Sequence, residues 1–188
     1  MEQITKEELL DVIGKFELGD NTEVVSVEPY GSGHINDTFR LEVKEDGQEK
    51  LYILQRMNKD IFKNQKELME NILQVTSFLT DKIKAQGGDP NRETLQVIPT
   101  KEGKSYLIEA NGDGWRVYPF ITDSLSFDKA DTPEAMKKSG YAFGNFQYLL
   151  SDFPAEKLHE TIPDFHNTVD RYAKFEQAVQ EDVMGRAK

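Results

Sequence analysis

Between Ile35 and Met57 the sequence alternates rather than clusters. Ile35, Asp37, Phe39, Leu41 and Val43 interleave with Asn36, Thr38, Arg40 and Glu42, and after Glu45-Asp46-Gly47 a second apolar run extends from Leu51 to Met57. A period of two sends successive side chains to opposite faces of a strand, and Asp-Gly between two such runs is a hairpin signal. The chain must therefore accommodate an antiparallel hairpin, with Asp37 as the one polar intrusion on its apolar side. A Val-rich stretch from Glu23 to Pro29 precedes it and reads as another strand. The two are joined by Gly31-Ser32-Gly33, a turn with access to positive φ.

The period then changes. From Asn64 to Gln86, Leu68, Met69, Ile72, Leu73, Val75, Phe78, Leu79 and Ile83 recur every three or four residues, which predicts a long amphipathic helix. Gly87-Gly88-Asp89-Pro90 ends it, and Thr94–Pro99, Ser105–Glu109 and Trp115–Ile121 read as strands separated by Glu102-Gly103 and Asn111-Gly112-Asp113-Gly114. A shorter helix is expected at the start, where Thr5 and Glu8 have capping-box spacing and Leu9, Leu10, Ile13 and Phe16 are its inward set. Ser124–Asp131 is polar and loop-like. Thr132-Pro133 then starts a helix with Met136, Gly140, Phe143 and Leu150 inward. After a loop from Phe153 to Phe165, Asn167 or Thr168 caps a last helix with Val169, Tyr172, Phe175 and Val179 inward.

Composition excludes several functions. Among 188 residues, 34 are acidic and 23 basic, a net charge of −11, which repels a polyanion and argues against nucleic-acid binding. There is no cysteine, so a disulfide framework, a thiolate nucleophile and a cysteine zinc site are ruled out. No apolar run approaches the roughly 20 residues of a membrane span, and MEQITKEELLDVIGKFEL has neither the basic start nor the apolar block of a signal peptide. A cytoplasmic protein without a membrane partner is expected.

A glycine turn between two strands, a third strand, a helix and two further strands running into a linker is the element order of a protein-kinase-like small lobe. GSGHINDTFRLE resembles the G-x-x-N-x-x-[FY]-x-[VL] opening of the aminoglycoside phosphotransferase and choline kinase superfamily. YILQRMN, LMENILQVTSFL, GWRVYPFI, GYAFGNFQYLLSDF and FHNTVDRYAKF together are more similar still to N-acetylhexosamine 1-kinases, from about Val24 to Ala187. Some relatives carry a mucin-desulfating sulfatase label, but the C/S-x-P-x-R context of sulfatase chemistry is absent from this sequence.

The resemblance implies an α+β fold: residues 1–122 as a kinase-like small lobe, an antiparallel sheet plus one long helix, and 123–188 as a linker and the first helices of a large lobe. It implies ATP with Mg²⁺ as cofactor and a small-molecule sugar as acceptor. Gly31, Ser32 and Gly33 would cover the phosphates, with Asn36 close by. Tyr118, Pro119, Phe120 and Ile121 would form the hinge whose backbone edge reads adenine, and His34 would bond a sugar hydroxyl. Gln55 stands where kinases usually place a phosphate-pairing Lys. A neutral amide cannot supply that charge, so the adjacent Arg56 or metal ions would have to. Glu67 and Glu70 are expected to be solvated, His159 and His166 structural or exposed, and Trp115 core.

The His-x-Asp-x-x-x-x-Asn segment of these kinases, which carries the base and a metal ligand, does not occur in this sequence. No catalytic residue and no metal ligand is therefore assigned here, and the chain is expected to be the N-terminal half of its parent, inactive alone and prone to self-association through an exposed lobe interface. The rival expectations are a kinase of choline, homoserine or an aminoglycoside, and a noncatalytic nucleotide-binding or interaction module.

Overall fold

The computed structural model describes residues 4–125, 127 and 129–187. Helix α1 (Lys6–Ile13) opens on the expected capping box: Thr5 N–H donates to Glu8 Oε2 at 2.8 Å and Glu8 N–H to Thr5 Oγ1 at 3.3 Å. Leu9, Val12, Ile13 and Phe16 are buried, whereas Leu10, expected inward, is exposed. The buried four are spaced i, i+3, i+4, i+7 and share one stripe; Leu10 lies a hundred degrees round from Leu9.

Strands β1 (Thr22–Pro29), β2 (Asp37–Glu45), β3 (Gln48–Met57), β4 (Leu107–Ile108) and β5 (Gly114–Pro119) form one five-stranded antiparallel sheet in the order β1-β2-β3-β5-β4. Asp46 and Gly47 take φ of 49° and 81°, so the β2–β3 hairpin closes through two left-handed residues, the turn whose twist matches that of the strands. Leu41, Val43, Leu54 and Val117 are fully buried on one face against α1. Ile35, expected in this set, precedes β2 and is exposed.

Helix α2 (Gln65–Ala85) follows β3, with the Asn64 side chain accepting from Glu67 N–H at 3.2 Å. It buries Met69, Leu79 and Ile83 away from the main cluster, on the side of the sheet where alternation places Met57 and Tyr118.

The expected strand Thr94–Pro99 does not form. Asp89 instead caps a one-turn helix, α3 (Pro90–Glu93): its carboxylate accepts from Asn91 N–H at 3.0 Å while Glu93 accepts from Asp89 N–H at 2.7 Å. Beyond it only isolated bridges form, Ile98 to Val117 and Phe16 to Thr100, because Pro99 has no N–H to extend a ladder. Ser105–Glu109 shortens to the two residues of β4.

Helices α4 (Pro133–Leu149) and α5 (Thr168–Glu181) begin at the expected caps, Thr132 accepting from Ala135 N–H and Asn167 from Asp170 N–H, both at 3.1 Å. Their expected inward faces are exposed: Phe143 is 70% and Phe175 61% accessible, and Met136, Gly140, Val169, Tyr172 and Val179 are exposed as well. Leu150 is half-buried. Helical periodicity marks an apolar face but not the partner that covers it, and no described element packs on these residues. The loop reading of Ser124–Asp131 includes Ser126 and Asp128, which lie outside the described residues. Among the described residues no helix is long and apolar enough to cross a membrane.

Candidate functional site

One face of the sheet packs against α1, with an open cavity of about 640 Å³ at its edge lined in part by Glu8, Asp11, Arg56 and Asp113, and the row that holds Gln55 lies on the other face. Pairing register lines its side chains up in rows. Thr38 pairs with Gln55 and Gln55 with Arg116; Arg40 pairs with Ile53 and Ile53 with Tyr118. The first row is a hydrogen-bonded chain: Gln55 Nε2 donates to Thr38 Oγ1 at 2.8 Å, and Gln55 Oε1 accepts from Arg116 Nε at 3.0 Å and Nη2 at 2.6 Å. Arg116 Nη1 also approaches Met69 Sδ at 3.7 Å, and its guanidinium lies 5.2 Å from the centre of the Tyr118 ring. Burial pulls the Arg116 pKa below its usual range and pushes the Tyr118 phenol up to about 12. Arg116 still keeps its charge, as guanidinium does in proteins.

The glycine turn adjoins the same row, because Tyr30 N–H donates to Thr38 O at 2.8 Å. Gly31, Ser32, Gly33 and His34 are all exposed. Gly31 needs its glycine at φ +83°, and open space surrounds the Cβ positions of Gly31 and Gly33. Asn36 anchors the turn through its side-chain oxygen. Its Oδ1 accepts from Asn58 N–H at 2.9 Å, and Asn58 Nδ2 donates to Ile35 O at 2.9 Å, which ties the turn to the end of β3.

Among the residues expected to form a hinge, Tyr118 is buried, Phe120 half-buried, and Pro119 and Ile121 exposed. The Tyr30 ring meets the Phe120 ring edge-on at 5.4 Å, so the base of the glycine turn touches the hinge. Phe120 N–H is spent on Leu51 O at 2.9 Å and is closed to a base. An open cavity of about 540 Å³ lies beside the hinge, its wall including Arg40, Glu42, Leu51, Pro119, Phe120 and Thr122, a size within the range of small-molecule pockets. A larger groove of about 1070 Å³, lined in part by Lys15, Lys66, Tyr106 and Lys104, contains no residue of the glycine turn or the hinge.

Arg56 cannot assist Gln55. Neighbouring strand residues point to opposite faces, and Arg56 is buried on the core side, neither solvated nor near the row. There it bonds Asp37 at 2.6 Å and Asp113 at 3.2 Å and lies 5.9 Å from the Trp115 ring centre. This pairing accounts for the polar intrusion of Asp37. Trp115 is core, at 3% accessible.

The cation beside Gln55 is Arg116, a residue that no sequence motif singles out. The alternation of Trp115 and Val117 against Arg116 and Tyr118 signals an outward arginine, but only the register shows which residue it meets. Glu70 is not simply solvated, since His159 Nε2 lies 2.9 Å from its Oε2. His159 is further held by Asn71, which bonds its backbone N–H and C=O at 2.9 and 2.8 Å. His166 is exposed and packs edge-on against Phe165.

None of the protein-family models searched matches the chain. Among the described residues no group of three His, Asp or Glu could hold a metal ion.

Proposed function

We propose that the chain is the nucleotide-binding part of an ATP-dependent phosphotransferase that phosphorylates the anomeric hydroxyl of an N-acetylhexosamine. The observation that carries this is the strand order β1-β2-β3-β5-β4 with α2 inserted after β3. In that order Tyr30, at the base of the glycine turn, bonds Thr38 of the row that holds Gln55 and packs against Phe120, which supports the reading. It is also the element order of a protein-kinase-like small lobe.

The residues suit ATP. An exposed glycine turn with open Cβ space lets backbone N–H groups approach phosphate. Leu51, Pro119 and Phe120 supply apolar surface in the cavity wall, and Arg116 brings positive charge to the row. ATP would contribute the transferable γ-phosphoryl group. The Mg²⁺ that the resemblance implies finds no suitable ligand group among the described residues, so no step is assigned through it. His34, at the exposed tip beside Gly33, is the candidate donor or acceptor to a sugar hydroxyl.

Single-turnover transfer from γ-labelled ATP to GlcNAc and GalNAc, by protein expressed to the natural stop codon of its reading frame, tests the assignment. Labelled sugar 1-phosphate is expected. His34→Ala should lower kcat/KM for the sugar by about tenfold, the value of one hydrogen bond near 1.4 kcal/mol. Absence of transfer to either sugar, with turnover of choline, homoserine or an aminoglycoside, would reassign the acceptor; saturable ATP binding without transfer to any acceptor would leave a nucleotide-binding module.

A further inference from the structure

Two arginines on adjacent paired strands have opposite surroundings. Arg56, on the core face, is neutralised by Asp37 and Asp113. Arg116, on the other face, is half-buried, and among the described residues no carboxylate comes within ion-pair distance of it, although the chain carries 34 acidic residues. Its partners are an amide oxygen, a thioether and a phenol ring. A guanidinium has five N–H donors. Nε and one hydrogen on Nη2 serve Gln55, and one on Nη1 faces the weak acceptor Met69 Sδ. One N–H on each terminal nitrogen has no partner among the described residues.

Taking a charge partly out of water without a counter-charge is costly. The position is also well held: Gln55 grips the guanidinium on two nitrogens and is itself held by Thr38. Thr38 is the residue to which the base of the glycine turn is bonded. A planar cation with unused donors, on the row that begins at a glycine turn, is matched to phosphate oxygens, which guanidinium binds in bidentate fashion.

We propose that Arg116 is the phosphate-binding cation of this face, contacting the polyphosphate of a nucleoside triphosphate through its unused N–H groups, with Gln55 as the positioning residue that orients it. This rests on the reading of the face as a nucleotide site. It answers how a neutral residue can stand at position 55: the charge comes from the neighbouring strand and the amide aims it.

The test is isothermal titration of the full chain and its Arg116→Met and Arg116→Lys variants with three probes: ATP, inorganic triphosphate and adenosine. The native protein should bind ATP and triphosphate. Arg116→Met should weaken both at least tenfold and leave adenosine unchanged. Arg116→Lys, which keeps the charge but not the fork, should fall between. Trp115 fluorescence and far-UV circular dichroism check that each variant is folded, and should Arg116→Met fail that check the lysine variant carries the comparison.

Equal affinities of the native and variant proteins for ATP and triphosphate would overturn the proposal, as would failure of the native protein to bind either. Adenosine binding with Arg116 dispensable sinks the proposal while leaving the nucleotide reading in place. Arg116-dependent binding of triphosphate, with ATP no tighter and adenosine unbound, supports an anion site at Arg116 and removes the nucleotide reading instead.

Discussion

At the scale of single residues, Gly114 is the position with least room. A Cβ there would lie 1.6 Å from Gln65 Oε1 and 2.8 Å from Met57 Cε. Gln65 is itself buried, donating to Gly112 O at 3.4 Å while its Oε1 has no hydrogen-bond partner. Gly114→Ala must push Gln65 out of the junction between β5 and α2. It should cost about 1–3 kcal/mol by urea denaturation, and adding Gln65→Ala should restore part of the loss; a neutral Gly114→Ala would mean the junction is slack. Asp113 couples stability to pH. Burial alone would raise its pKa, but the hydrogen bond from Lys59 and the charge and bond of Arg56 outweigh that and hold it below the ordinary value. A depressed folded-state pKa gives stability that is complete above the unfolded value near 3.9 and is lost as pH falls through the folded value. Asp113→Asn should therefore be less stable than the native protein at pH 7, by about 1.5–3 kcal/mol for a charged hydrogen-bonded group. The gap should narrow in urea melts below about pH 4. A gap constant down to pH 3 would contradict the ion-pair account.

At the scale of elements, local chemistry decided what could be read from sequence. The Thr5–Glu8 capping box, the Asp46-Gly47 hairpin and the caps at Thr132 and Asn167 all involve residues a few positions apart, and all formed as expected. Thr5→Ala should cost about 1 kcal/mol, read as a lower thermal midpoint, since α1 closes the main core; an unchanged midpoint would show that the cap is dispensable. Thr94–Pro99 misled because its apolar content mimics a strand, whereas its backbone bonds were decided by the Asp89 cap before it and by a single bridge to Val117. Helix α2 shows a further limit. Its inner side reaches Arg116 through Met69. Its outer side holds the segment around residues 149–159 through Asn71, Glu70, Phe78 against Phe153, and Lys82, which bonds Leu149 O and Asp152. Those contacts span about seventy to ninety residues of chain, a separation at which periodicity carries no information.

At the scale of the whole molecule, one sheet separates two kinds of chemistry. Core burial and the Asp37–Arg56–Asp113 cluster occupy one face, and the row Thr38–Gln55–Arg116, with Tyr30 and Phe120 packed beside it, occupies the other. The glycine turn and the strand through Trp115 were legible, because Gly-Ser-Gly between two alternating runs and the apolar run after Asn111-Gly112-Asp113-Gly114 announce themselves in sequence. The cation was not, since adjacent residues 55 and 56 separate to opposite faces and only strand register brings Arg116 to Gln55. The exposed apolar residues of α4 and α5 set these helices apart from the sheet, whose apolar face is closed by α1. The most direct test of the central claim is an amide NMR titration of the full chain with ATP. The account predicts saturable shifts concentrated at residues 31–34, 53–55, 116–118 and 120–121. Shifts centred instead on the groove around Lys15 and Lys104, or none that saturate, would contradict it.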